Sequence, residues 1–222
     1  MMKCKQSLIR GQKHVMKPAI LVKDSRVNFK KNFLSFLLIL LTSLSVYASE
    51  IRLSDIERYL NQLDNVESTF EQWDNKGAYT TGTFHLQKPG KLRLSYNKPS
   101  KLVIIADGKT LFFIDRKSGD LSYMPINESP ASFLVESSIQ IQNDFSIKQF
   151  SANANKVTLV LKKLGNEDIG TLTLTFARQP KLELIQWVIT DPQDRKTIVK
   201  LGPFNTFVSK DPDLFNAQPL LN

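Results

Sequence analysis

The sequence predicts a mainly β domain: one strongly curved antiparallel sheet forming an incomplete barrel, accompanied by a few short helices. Three observations point there. Apolar residues alternate with polar ones in many separate short runs, the mark of strands with one buried face. Pro, Gly, Asn and Asp cluster between those runs. Only two or three stretches carry helical spacing, against ten or eleven expected strands.

Taken in order, Ser54-Asp55-Ile56-Glu57 reads as a capping box, with Ile56, Tyr59, Leu60 and Leu63 forming one apolar stripe on a helix that ends near Asp64. Val66 to Trp73 is the first strand, followed by a turn at Asn75-Lys76-Gly77. Gly82 to Gln87, Lys91 to Tyr96 and Lys101 to Asp107 are three strands joined by Lys88-Pro89-Gly90 and Asn97-Lys98-Pro99-Ser100. In the first two of these strands Phe84, Leu86, Leu92, Leu94 and Tyr96 share one face, with Thr83, His85, Arg93 and Ser95 on the other.

Thr110 to Arg116 and Leu121 to Met124 form a hairpin around Lys117-Ser118-Gly119-Asp120. Ser129-Pro130 is a second helix start, with Ser129 as the cap, and Phe133, Leu134 and Val135 make that helix strongly apolar before Ser137-Ser138 interrupts it. From Phe145 the chain returns to strands. Val157, Leu159 and Leu161 alternate, as do Leu172, Leu174 and Phe176, then Ile185, Trp187 and Ile189, with Thr197 to Leu201 last. Asn166-Glu167-Asp168 and Arg178-Gln179-Pro180 mark turns between them.

The N-terminus has a different composition. Nine Lys or Arg precede Phe33, followed by a charge-free stretch from Phe33 to Val46 and the small-x-small pattern Val46-Tyr47-Ala48. That layout predicts a signal peptide over residues 1–48, cleaved after Ala48, with translation starting at Met1 or Met16. The apolar run is shorter than the roughly 20 residues that span a bilayer. Of the formal charge of +9, the leader holds +8, so residues 49–222 keep 21 basic and 20 acidic side chains. Such a balance removes the basic face that a nucleic-acid partner would need. The single cysteine, Cys4, lies in the leader, so neither a disulfide nor a lipid-bearing cysteine is expected after cleavage, and residues 49–222 are expected to form one domain.

No catalytic constellation emerges. His85 is the only histidine after the leader, no H-E-x-x-H or G-x-S-x-G occurs, and the glycines fall singly in turns, so no metal or cofactor is expected. A hydrolase triad assembled through His85 stays open as an alternative. The aliphatic and aromatic supply is the more informative quantity. Phe84, Leu92, Leu94, Tyr96, Ile104, Phe112, Ile114, Phe133, Leu134, Phe145, Leu174, Phe176 and Trp187 exceed what one thin sheet needs for packing and are candidates to line a cavity for acyl chains.

Phe70-Glu71-Gln72, Gly82-x-Phe84, Lys88-Pro89-Gly90-Lys91-Leu92-Arg93, Tyr96-x-x-Pro99, Asp107-Gly108 and Ser129-Pro130 come in an order and spacing that resembles the LolA family of periplasmic lipoprotein carriers, from about Ser54 to Phe215. The resemblance implies a half-open barrel closed by a helical lid, and a monomeric, cofactor-free carrier that is not an enzyme. Its implied partners are acylated lipoproteins, the inner-membrane ABC exporter that releases them and an outer-membrane receptor that accepts them. It also implies a latch: an Arg before the Pro of the first strand turn, bonded to lid carbonyls. Lys88 stands at that position here, lacking the planar five-donor fork, with Arg93 as the alternative donor. A lipid-sensing regulatory module of the same architecture is the alternative function.

Energetics give the lid its purpose. Full burial of three long acyl chains at about 0.8 kcal/mol per methylene would reach ~35 kcal/mol, beyond the practical ceiling of roughly 20 for non-covalent binding. A lid whose apolar contacts must be surrendered on loading offsets the excess.

Overall fold

The computed structural model describes residues 50–165 and 169–220. The expected leader and the turn at 166–168 lie outside them.

Helix α1 spans Leu53–Gln62. Its capping differs from the Ser54/Glu57 expectation. The box is set two residues earlier, with Arg52 N–H donating to Asp55 Oδ2 at 2.9 Å and Asp55 N–H to Arg52 O at 3.0 Å. Glu57 is thereby free for another task described below. Ile56 and Leu60 are buried on the face turned to the sheet.

Among the described residues, twelve strands make one antiparallel sheet: β1 (Val66–Trp73), β2 (Tyr79–Gln87), β3 (Lys91–Tyr96), β4 (Leu102–Asp107), β5 (Thr110–Asp115), β6 (Asp120–Pro125), β7 (Phe145–Ala152), β8 (Lys156–Lys163), β9 (Thr171–Ala177), β10 (Glu183–Thr190), β11 (Lys196–Leu201) and the two-residue β12 (Asn205–Thr206). Their order is β6-β5-β4-β3-β2-β1-β11-β10-β9-β8-β7, with β12 also pairing β1. Neighbouring strands are consecutive in the chain except at the β1–β11 seam and where β12 joins β1, so two meanders are stitched at that seam, and β6 and β7, consecutive in the chain, end up as the two open edges. The class is as expected, with one strand more than the largest count.

β2 begins at Tyr79 rather than at Gly82. Gly82 is not a strand breaker but a mid-strand residue paired with Phe70 on one side and Tyr96 on the other. Phe70 and Tyr96 meet edge to face at 5.0 Å, and a Cβ on Gly82 would sit 2.5 Å from the Phe70 ring and closer still to Ser95 O. The glycine thus leaves the room that the Phe70 ring occupies beside Tyr96. Gly82→Val is expected to lower unfolding free energy by about 1–3 kcal/mol through overpacking, read by urea denaturation; an unchanged midpoint would mean the rings move aside freely.

One face of the sheet holds a continuous core: Phe84, Leu86, Leu92 and Leu94 on β2 and β3, Leu159, Leu161, Leu172, Leu174 and Phe176 on β8 and β9, and Trp187 and Val199 at the centre. The register in β10 departs from strict alternation. A bulge between Leu184 and Gln186 buries Leu184 fully and leaves Ile185 half-buried, so the inward set is Leu184, Trp187 and Ile189 rather than Ile185, Trp187 and Ile189. Helix α1 uses the irregularity: Leu184 N–H donates to Tyr59 Oη at 2.9 Å, and the Tyr59 ring stands perpendicular to Phe176 at 5.7 Å.

A smaller apolar cluster lies on the opposite face. Val103, Ile105, Ile114 and Phe112 pack there under Ala217 and Leu220 of the C-terminal segment. That segment is tied down on the way by Arg93, whose Nη1 donates to Leu214 O at 2.8 Å and Nε to Ser95 Oγ at 2.9 Å. His85 lies on the same face, edge-on to Phe207 at 5.2 Å and 3.6 Å from Glu67. Burial, countered by Glu67 and reinforced by Arg93, holds its pKa below the usual imidazole value.

Candidate functional site

Between β6 and β7 the chain leaves the sheet and crosses its concave face. It forms two 3₁₀ turns, Ile126–Glu128 and Pro130–Leu134, then helix α2 (Ile141–Asp144). The expected α-helix from Ser129-Pro130 is a 3₁₀ helix instead, closed by Ser132 N–H to Ser129 O and Val135 N–H to Ser132 O. A run this short between turns gains little from the wider α repeat. Phe133, Leu134, Val135, Ile139 and Ile141 are all buried, so the segment presents grease to the sheet and serves as a lid.

Under the lid, on the β3–β5 side, lies a cavity of about 310 Å³. Leu92, Leu94, Tyr96 and Ile104 form its floor, Leu134 its roof and Trp187 one wall. These are six of the thirteen residues proposed from sequence. Leu102, Leu111, Phe113, Ile189 and Val199 complete the apolar lining, with Gln72, Ser129 and Thr197 as its polar spots. Tyr96 Oη donates to Gln72 Oε1 at 2.7 Å, and burial pushes its pKa up to about 12. Phe84, Phe133, Phe145, Leu174 and Phe176 belong to the continuous core around this hollow and do not line it.

Phe112 and Ile114 require correction. Every residue from Leu111 to Ile114 is apolar, so alternation alone cannot say which pair faces in. Register decides it: Phe112 pairs with Ile105 and Ile114 with Val103, both on the outer face, while Phe113 pairs with Ile104 on the cavity side. Leu111 and Phe113 are the inward pair that sequence reasoning missed.

Polar bonds fasten the lid on three sides. From the β2–β3 turn, Gly90 N–H donates to Val135 O at 2.8 Å. Gly90 has φ +84°, and a Cβ there would come within 2.6 Å of Gly108 Cα, so only glycine lets the two turns and the lid converge. From α1, Asn61 clamps Ile139 twice, accepting its N–H at 2.7 Å and donating to its carbonyl at 2.9 Å, and Glu57 accepts the N–H of Ile141 at 2.9 Å. From β8, Lys163 Nζ donates to Ser132 Oγ at 2.9 Å and to Glu136 Oε1 at 3.1 Å.

Lys88 donates 2.8 Å to Leu60 O, in the last turn of α1, rather than to a carbonyl of the lid itself. It thereby satisfies an end carbonyl of a helix with no basic residue of its own in that turn, where a cation also suits the helix dipole. Arg93, the alternative donor, spends its bonds on Leu214 and Ser95 on the far face of the sheet. Lys163, which sequence reasoning missed, reaches the lid directly. Its signal was present: it continues the inward parity of Val157, Leu159 and Leu161, and a lysine on an apolar face needs a partner.

Burial lowers the Lys88 pKa to about 8, with Glu136 and Asp64 acting against the shift. A folded value below the unfolded 10.5 means stability that is present above 10.5 and lost as pH falls through 8. The stability difference between wild type and Lys88→Met should therefore move in favour of wild type as pH rises from 8 to 10, measured by urea unfolding. Tyr59 and Tyr96, both raised to about 12, lose their contribution only as pH climbs above 10 and stay outside this window. A pH-independent difference would show that Lys88 is not desolvated.

Against known proteins, the chain is 22% identical over 172 residues to an outer-membrane lipoprotein carrier protein of Coxiella burnetii, covering 75% of this chain and 79% of that one. It is 23% identical over 184 residues to the protein of that name in Neisseria meningitidis serogroup C, covering 79% and 87%. Among solved structures, a putative outer membrane lipoprotein-sorting protein domain from Vibrio parahaemolyticus aligns with TM-score 0.47 and 9% identity over 76% of this chain and 97% of that one. A LolA superfamily protein from Nitrosomonas europaea aligns with TM-score 0.44 and 7% identity over 76% and 100%. The family model described as outer membrane lipoprotein carrier protein LolA matches residues 61–218, well over half of the sequence, and the chain belongs to the LolA family.

Proposed function

We propose that this protein is a periplasmic carrier that takes up the acyl chains of lipoproteins released from the inner membrane and hands them to a receptor at the outer membrane. The observation that carries the reading is the apolar hollow under a lid held down by apolar packing and a few polar bonds. Its 310 Å³ lies at the bottom of the roughly 300–1,000 Å³ range of small-ligand pockets, so several acyl chains require the lid to lift. Loading then exchanges lid contacts for chain contacts. The net affinity stays small enough for release, because the protein gives up burial of Phe133 and Leu134 to gain burial of the ligand. Membership of the LolA family supports the same role, as do relatives named lipoprotein carriers. On this reading the protein works as a monomer, makes and breaks no covalent bond, and needs neither metal nor cofactor. Its partners are the acylated lipoproteins, an ABC exporter of the inner membrane and an outer-membrane receptor.

Native mass spectrometry of the protein isolated from periplasm tests this. Complexes with acylated lipoproteins, absent for the same lipoproteins lacking their acyl chains, are the expected result; equal capture of both forms would overturn it.

A further inference from the structure

Glu136 of the lid bonds one lysine of the sheet and acts electrostatically on a second from a distant part of it. Lys163 ends β8 and bonds it at 3.1 Å. Lys88 follows β2, with β1, β11, β10 and β9 intervening in the sheet order, and Glu136 is the foremost carboxylate holding its ammonium charged against burial. The lid carboxylate thus serves as bonded counter-ion to Lys163 and also favours the charged form of Lys88.

Lifting the lid separates these charges unequally. Glu136 and Ser132 travel with the lid, whereas Lys163 stays on β8 and Lys88 on its turn, beside the space that the lid vacates. Lys88 keeps its bond to Leu60 O and the nearby charge of Asp64 as long as α1 stays seated, but Lys163 loses both of its bonded partners at once. A half-buried ammonium without a partner is costly, and a ligand that brings its own anion removes that cost. The alternative, that Lys163 simply swings into water, would leave the mouth indifferent to ligand charge.

We infer that the opened lid prefers acylated ligands carrying an anionic group close to their chains, a phosphate or a carboxylate that takes the place of Glu136 beside Lys163. The inference rests on the carrier reading above and deepens it by naming the charge that the acylated ligand brings beside its chains. It makes Glu136 a resident competitor for the site, so the closed state and the anionic ligand use Lys163 in turn.

Displacement of a neutral solvatochromic acyl dye, with protein purified from cells expressing the full-length gene, tests it with three probes of equal chain length: a monoacylglycerol, a fatty acid and a lysophosphatidylglycerol. The two anionic probes should bind about tenfold tighter than the neutral one, the scale of a charge-assisted hydrogen bond. Lys163→Met should bring that ratio close to one. Glu136→Gln, which keeps the side-chain volume and removes the competing charge, should raise it. Equal binding of all three probes by wild type, or a ratio that survives Lys163→Met, would overturn the inference and leave the carrier reading standing. Failure of every probe to bind would remove both.

Discussion

Leu134→Ala is expected to open the lid without unfolding the sheet. Leu134 is 1% exposed and roofs the cavity, and it stands on a 3₁₀ turn rather than on a strand. Truncating a buried leucine costs about 2–5 kcal/mol. Because this one is held to the sheet by packing and a few polar bonds, the cost falls mainly on the local opening equilibrium. Backbone amides that report closure, those of Gly90, Ile139 and Ile141, should exchange with deuterium at least about 30-fold faster, since each 1.4 kcal/mol is a factor of ten. Apparent affinity for an acyl probe should rise in step until the open form predominates, because the fraction of protein competent to bind is what limits it. Unchanged exchange at these amides would show that the segment does not open independently.

How much of this was legible beforehand follows from where one-dimensional pattern suffices. The strands β3, β8 and β9 alternate cleanly, and their inward sets, such as Leu92 and Leu94 or Leu159 and Leu161, are those the alternation gives. Pattern fails where both parities are apolar. The Thr110–Asp115 strand is the example: the pairing with β4, together with a C-terminal segment arriving from a hundred residues later, decides that Phe112 faces away from the cavity. It also fails at bulges, since the extra residue at Ile185 reverses the phase that Trp187 would otherwise imply.

The polar fastenings were harder still. Nothing in the local sequence tells Asn61 from an ordinary surface amide on a helix, because its two bonds go to a residue 78 positions away. Lys88 was singled out through family resemblance, which gave the right neighbourhood and the wrong acceptor. The turn that carries it does meet the lid, but through Gly90 N–H, while the lysine itself caps α1. Replacing a five-donor fork with a single ammonium leaves one strong bond instead of several, and here the lid is bonded by Asn61 and Lys163 as well.

Phe84→Ala should behave in the opposite way to Leu134→Ala, and the contrast is the sharper test of the lid. Phe84 is fully buried on β2, paired with Ser68 and Leu94 in the adjoining strands, with its ring 5.8 Å from Trp187 and 6.0 Å from Phe204. Strands held on both sides cannot close over the void, so the loss should appear as about 3–5 kcal/mol of global stability. In a domain of this size that is a fall in Tm of roughly 6–20 °C by calorimetry. Lid amides should exchange at nearly the wild-type rate below the transition, since none of the lid's polar bonds involves this side chain. The two residues belong to one continuous apolar cluster, so bulk hydrophobicity predicts similar behaviour for both. Only a boundary between a hydrogen-bonded sheet and a separately opening cover predicts that one substitution loosens the cover and the other weakens the whole. Equal effects on both measurements would mean that the roof is ordinary core and the cavity has no door.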